Sequence, residues 1–296
     1  MKWWRSPASA TQVTHGQRLW LYVLAGLVMA FLVLPTLIVV PMSFSASQFL
    51  HFPPQHWSLR WYGHYFASAE WVQATLTSFK AGSLTVVVAV PLGTMAAYGL
   101  LTSRSAWARL VLAVLLTPIL VPVILVAIGV FYVYVQLKLL DTIGGLVLAH
   151  SMLAVPLVVM VMSAALKSFD FNQEMVARSL GASRPCAFWL VTMPHLRFAL
   201  VTSAVLAFLT SFDEVVVAMF ISGGPNATLT RAMFDALRDQ IDPTIAAIST
   251  MMIVLSSVLV VLSQLVGRGR QGKNHKHAMT GGRIDRRSES RGQTEG

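Results

Sequence analysis

Two neighbouring acids, Asp213 and Glu214, interrupt an otherwise apolar run from Phe198 to Ile221. A carboxylate held in hydrocarbon is costly unless it faces water or a partner, so acids in such a run mark functional sites by default. The chemistry open to them is attraction of a cationic solute, with at least one of the pair lining a translocation path. The structural alternative is a cap or a bond to a neighbouring helix or to a partner subunit. Adjacent helical positions point about 100° apart, so both acids need not face one path.

The remaining reactive side chains are scattered. Glu174 and Arg178 lie four apart, the spacing of a surface ion pair on a helix rather than of a catalytic dyad. His150 and His195 stand alone. His275 and His277, near the carboxyl terminus, could hold a metal only adventitiously. The single cysteine, Cys186, excludes an internal disulfide framework and a Cys-rich metal site, and reads as a small apolar contact. The sequence has no Gly-x-x-x-x-Gly-Lys-Ser/Thr loop to cradle phosphates, so the chain is not expected to hydrolyse ATP itself. No nucleophile–base constellation appears. The expectation is a non-enzyme with no catalytic residues, metal site or cofactor of its own.

The elements that must position these groups are membrane helices. Of 296 residues, 55% are apolar and only 11% are charged, against about a quarter charged in ordinary soluble domains. Mean hydropathy is +0.66. The net charge of +10 would suit nucleic acid, but its placement argues against that partner: residues 267–296 alone hold eight Lys/Arg and three acids. Much of the rest falls in short loops between apolar runs.

Spanning a bilayer takes about 20 mostly apolar residues. Six stretches qualify: Leu19–Met42, Ala81–Thr102, Leu110–Tyr134, Ile143–Leu166, Phe198–Ile221 and Ile245–Val266. The first is too long for a secretory signal, whose apolar region runs about 7–15 residues. Alternate loops carry seventeen Lys/Arg on one side and five on the other, which puts both termini and the 167–197 loop in the cytoplasm. The fold expected is an all-α polytopic membrane protein of six transmembrane helices. Its parts are a cytoplasmic segment 1–18, a membrane domain 19–266 and a disordered basic tail 267–296. The outer segment Ser43–Lys80, with Trp57, Trp61, Tyr62, Tyr65, Phe66 and Trp71, reads as an aromatic belt on a short interfacial helix. Prolines 35, 91, 118, 122 and 156 predict kinks, and glycines 93, 99, 129, 144 and 145 predict close helix packing.

The loop 168–196 is too long for a simple connection. Asp170, with Gln173 three residues on, predicts a capping box. The helix runs through Glu174–Leu180 and stops at Gly181, suited to a left-handed C-cap. Ser183 then caps a second short helix with Pro185 in its first turn. Phe171, Met175, Leu180, Phe188 and Trp189 are too apolar for a free loop. They predict a helix–turn–helix with an apolar surface for something to cover.

This loop resembles the Glu-Ala-Ala (EAA) loop of permease subunits of ATP-binding-cassette (ABC) importers. Ala177 matches the second alanine, Gly181 the glycine, and Val191 and Met193-Pro194 the ending. The motif's acid is replaced by Met175 and its first alanine by Val176, with Glu174 one position early. Residues 15–268 are further similar to the polyamine (spermidine/putrescine) branch of that family. The similarity lies in Ser43-Phe-Ser45, Phe52-Pro-Pro54, Trp57-Ser-Leu-Arg-Trp-Tyr62 and Ser211-Phe-Asp-Glu-Val215.

The resemblance implies a type I ABC importer permease fold in a bacterial inner membrane. It implies partners in cytoplasmic ABC ATPase subunits that hydrolyse the ATP, a second and different permease chain, and an extracytoplasmic solute-binding protein, besides membrane lipid. Glu174, Ala177, Leu180, Gly181, Val191 and Pro194 would then form the ATPase-coupling loop, and the solute would be a polyamine or a related cation. The alternative is a secondary transporter or channel that uses Asp213 and Glu214 as a cation or proton site.

Overall fold

The computed structural model describes residues 18–268, apart from residues 50, 104, 240 and 241. The expectations for the amino-terminal segment, for the tail and for His275 and His277 therefore fall outside the described residues. Two compact units divide the chain. One runs to Ser68 and takes in Ala236–Ile253; the other covers Ala69–Asp235 and resumes at Val254.

In the first unit, helix α1 (Leu19–Ser43) is an uninterrupted apolar rod. Its 25 residues reach about 38 Å at 1.5 Å per residue, enough to cross a hydrocarbon layer about 30 Å thick. Leu27, Phe31 and Leu34 are exposed along it, the arrangement suited to a lipid solvent. Helix α2 (Arg60–Ala67) carries four of the predicted aromatics, Trp61, Tyr62, Tyr65 and Phe66, with Trp61 and Tyr65 buried. Tyr62 Oη lies 2.8 Å from Ser43 Oγ, which fixes α2 to the end of α1.

The second unit is built around α3 (Ala69–Thr102), α6 (Ile143–Lys167) and α9 (Met193–Phe212), which pack against one another. Small residues let them approach. Ala89 and Ala97 of α3, Ala154 of α6 and Ala207 of α9 are fully buried in one apolar layer with Val158 and Met162. A Cβ on Gly93 would fall 2.6 Å from Val158 Cγ1, so close approach does require glycine there. The packing expectation fails at Gly99, Gly129 and Gly144, which have open space beside them.

Four helix limits differ from the sequence reading. Helix α3 begins at Ala69 rather than Ala81, so Trp71 belongs to a spanning helix and not to the interfacial one. The third span is broken: α4 (Trp107–Leu120) and α5 (Val123–Leu137) meet at an angle of 101° across Val121-Pro122. The extended backbone at both residues ends the first leg there, as proline demands of the residue before it. The fifth span begins earlier and ends earlier than predicted, running as continuous helix over Arg184–Phe212. A separate helix, α10 (Val216–Ile221), follows. Among the described residues, the last helices are α11 (Leu229–Asp239) and α12 (Thr244–Arg268). Among the described residues, five helices are thus long and apolar enough to cross a membrane, and the α4–α5 pair makes six when counted as one span.

Candidate functional site

The loop between α6 and α9 folds as the sequence predicts in outline. Helix α7 (Asn172–Ser179) leads through Gly181 into α8 (Arg184–Ala187). Gly181 has φ +97°, a left-handed conformation that side chains disfavour. Its amide donates to Arg178 O at 3.0 Å while that of Ala182 donates to Ala177 O at 3.1 Å, the two bonds of a Schellman stop. Ser183 Oγ accepts the Cys186 amide at 3.4 Å, with Pro185 in the first turn. At the other end Asp170 Oδ1 accepts the Asn172 amide at 3.0 Å, an Asx turn in place of the capping box expected with Gln173.

Beyond α8 the helix widens into a π turn over Phe188–Thr192 before narrowing again as α9. Pro194, one residue inside α9, explains the position. It has no N–H to give, and its ring crowds the carbonyl four residues back, so the ladder relaxes just upstream.

The surface of this hairpin is apolar. Leu180 is 83% exposed, and Met175, Val176, Trp189 and Leu190 are exposed around it. Ala177 and Val191 are half-buried, and Pro194 is exposed. Cys186 is exposed too, contrary to the apolar contact expected of it.

Glu174 overturns its sequence reading. It makes no ion pair with Arg178 but turns inward, 6% exposed. Its Oε1 accepts the phenol of Tyr98 at 2.5 Å and its Oε2 the hydroxyl of Thr192 at 2.8 Å. Neither partner stood out in the sequence, because they lie 76 and 18 residues away.

Asp213 and Glu214 do not sit inside a continuous helix. They occupy the break between α9 and α10, and they have separate tasks. Asp213 ends α9, its amide donating to Leu209 O at 2.9 Å, and its side chain is exposed. Glu214 Oε1 accepts the Val217 amide at 2.9 Å and so caps α10, while its backbone carbonyl accepts from Thr230 Oγ1 at 2.9 Å. Just upstream, Ser211 Oγ accepts from Thr85 Oγ1 at 3.3 Å and lies 2.7 Å from His150 Nδ1. This buried polar chain joins α3, α6 and α9 at the break. His195 is partnered to the Val191 carbonyl at 2.9 Å. Among the described residues, no group of three or more His, Cys, Asp or Glu side chains is placed to hold a metal ion.

Comparison with known proteins agrees with this architecture. The profile of the family described as binding-protein-dependent transport system inner membrane component matches residues 89–270. The spermidine/putrescine transport system permease protein PotC of Haemophilus influenzae is 29% identical over 242 residues, covering 81% of this chain and 93% of that protein. The putrescine transport system permease protein PotI of Escherichia coli is 29% identical over 255 residues, 82% of this chain and 88% of its own. Among solved structures, one chain of a bacterial ABC transporter involved in the import of the acidic polysaccharide alginate matches with a TM-score of 0.65. It is 16% identical and covers 90% of this chain and 99% of its own, a likeness of fold.

Proposed function

Because this chain belongs to the family of binding-protein-dependent transport system inner membrane components, we propose that it is the ABC importer permease half that carries a polyamine or a related cationic solute. The observation that carries the coupling role is the α7–Gly181–α8 hairpin. It presents an exposed apolar cluster around Leu180 on a rigid turn, the form a segment needs to seat in another protein and take up its movement. The residues assigned to that coupling loop are Glu174, Ala177, Leu180, Gly181, Val191 and Pro194. The ATP is hydrolysed by a cytoplasmic partner.

Family membership displaces the alternative of a self-sufficient secondary transporter or channel. The polyamine assignment is supported by the names of two relatives that each match more than 80% of this chain. The break after α9 supports it chemically. The free carbonyls at the end of α9 carry partial negative charge, and exposed Asp213 adds a full one, so the break favours a cation. We assign Asp213 to the translocation path with Glu214 shaping it. Both termini and the hairpin are assigned to the cytoplasmic side of the inner membrane, with 19–266 as the membrane domain. The arginine and lysine asymmetry of the loops supports this orientation.

The test is reconstitution in liposomes. Uptake of radiolabelled spermidine or putrescine should require the ATPase, the second permease and the binding protein together. Uptake by this chain alone would refute the importer role. ATP-dependent uptake of another solute, with polyamines ignored, would refute only the substrate.

A further inference from the structure

Among the eight side chains of α7, Glu174 alone is buried. It lies beneath the apolar cluster rather than within it, since Met175 and Val176, the next two residues, face outward. Its two oxygens are divided between two transmembrane elements. Tyr98 is four residues from the end of α3, and Thr192 closes the π turn that opens α9. Rings steady the bond: Phe188 stands edge-on to Tyr98 at 4.7 Å and Phe171 lies 6.3 Å from it. Thr192 is completely buried.

An eight-residue helix has too few internal hydrogen bonds to hold itself. Beyond these two bonds, α7 packs on the π turn and on α8. Bonds to a carboxylate are shorter and stronger than neutral ones, and two donors on different elements fix its direction as well as its distance. We propose that Glu174 is a positioning residue: an internal tie through which α7 moves α3 and α9, not a contact to the ATPase. The tie deepens the coupling role proposed above and rests on it.

The experiment uses Tyr98→Phe and Thr192→Val, which each remove one donor, beside Glu174→Gln. In the purified chain alone, amide exchange over Asn172–Ser179 should quicken about tenfold or more in Tyr98→Phe, the change expected from losing one bond to a charged group. In the reconstituted importer each variant should still co-purify with the ATPase while solute moved per ATP hydrolysed falls several-fold. Tyr98→Phe combined with Glu174→Ala should lose no more than Glu174→Ala alone, because the alanine leaves the Tyr98 hydroxyl no acceptor to lose.

Unchanged exchange and an unchanged ratio in Tyr98→Phe would overturn the tie. So would loss of the ATPase from Glu174→Gln with Tyr98→Phe normal, since Glu174 would then be a partner contact. If the unaltered chain binds no ATPase, the importer role fails, and the exchange measurement still decides the tie.

Discussion

Ser211 of α9 lies 2.7 Å from His150 of α6, and both are buried. Ser211 also takes the hydroxyl of Thr85, so three helices share one serine. Ser211→Ala strands two buried groups at once. The expected loss is about 1 kcal/mol, the scale of interhelical bonds in membranes. Thermal unfolding in detergent reads it, and Ser211→Ala combined with Thr85→Val should cost less than the two added together.

Gly93 and Gly99 sit on the same helix with opposite surroundings. Gly93→Leu must push Val158 aside and should cost about 1–3 kcal/mol by overpacking. Gly99→Ala meets nothing and gains helix propensity, so its stability should hold or rise. Equal losses at both positions would contradict the close α3–α6 crossing.

The two acids at the break should separate experimentally. Asp213→Asn removes a charge with little structural role and should lower polyamine uptake several-fold while the unfolding temperature stays unchanged. Glu214→Gln keeps an oxygen to cap Val217 and should fold normally; Glu214→Ala loses the cap at about 1 kcal/mol. Unchanged uptake in Asp213→Asn would remove it from the path.

Gly181→Val places a branched side chain at φ +97°, which costs roughly 1–2 kcal/mol of local strain. The chain should insert and hold its bundle, yet ATPase activity and uptake should become uncoupled. Normal uptake by this variant, measured beside a control at Ala182, would mean that the turn does not carry force.

The spans were legible because composition and length alone specify them. The breaks were not. Pro122 ends a helix leg whereas Pro35, Pro91, Pro118 and Pro156 lie within helices, and nothing local to the sequence separates these cases. In the hairpin, Gly181 and Ser183 were readable because their geometry is local. Glu174 was misread as half of a surface pair because spacing reports neighbours along one helix, while its true partners come from α3 and the π turn. The same limit hid His150, which looked isolated until α9 brought Ser211 beside it.

The π turn at Phe188–Thr192 has a further consequence. One surplus residue in a helix shifts the phase of everything before it by about 100°. The hairpin's apolar cluster owes its heading to that offset. Deleting a single residue between 188 and 192 would leave every side chain of α7 and α8 chemically intact and aim the cluster elsewhere. Sequence length in these five residues is therefore a setting of angle, separate from the contacts their side chains make.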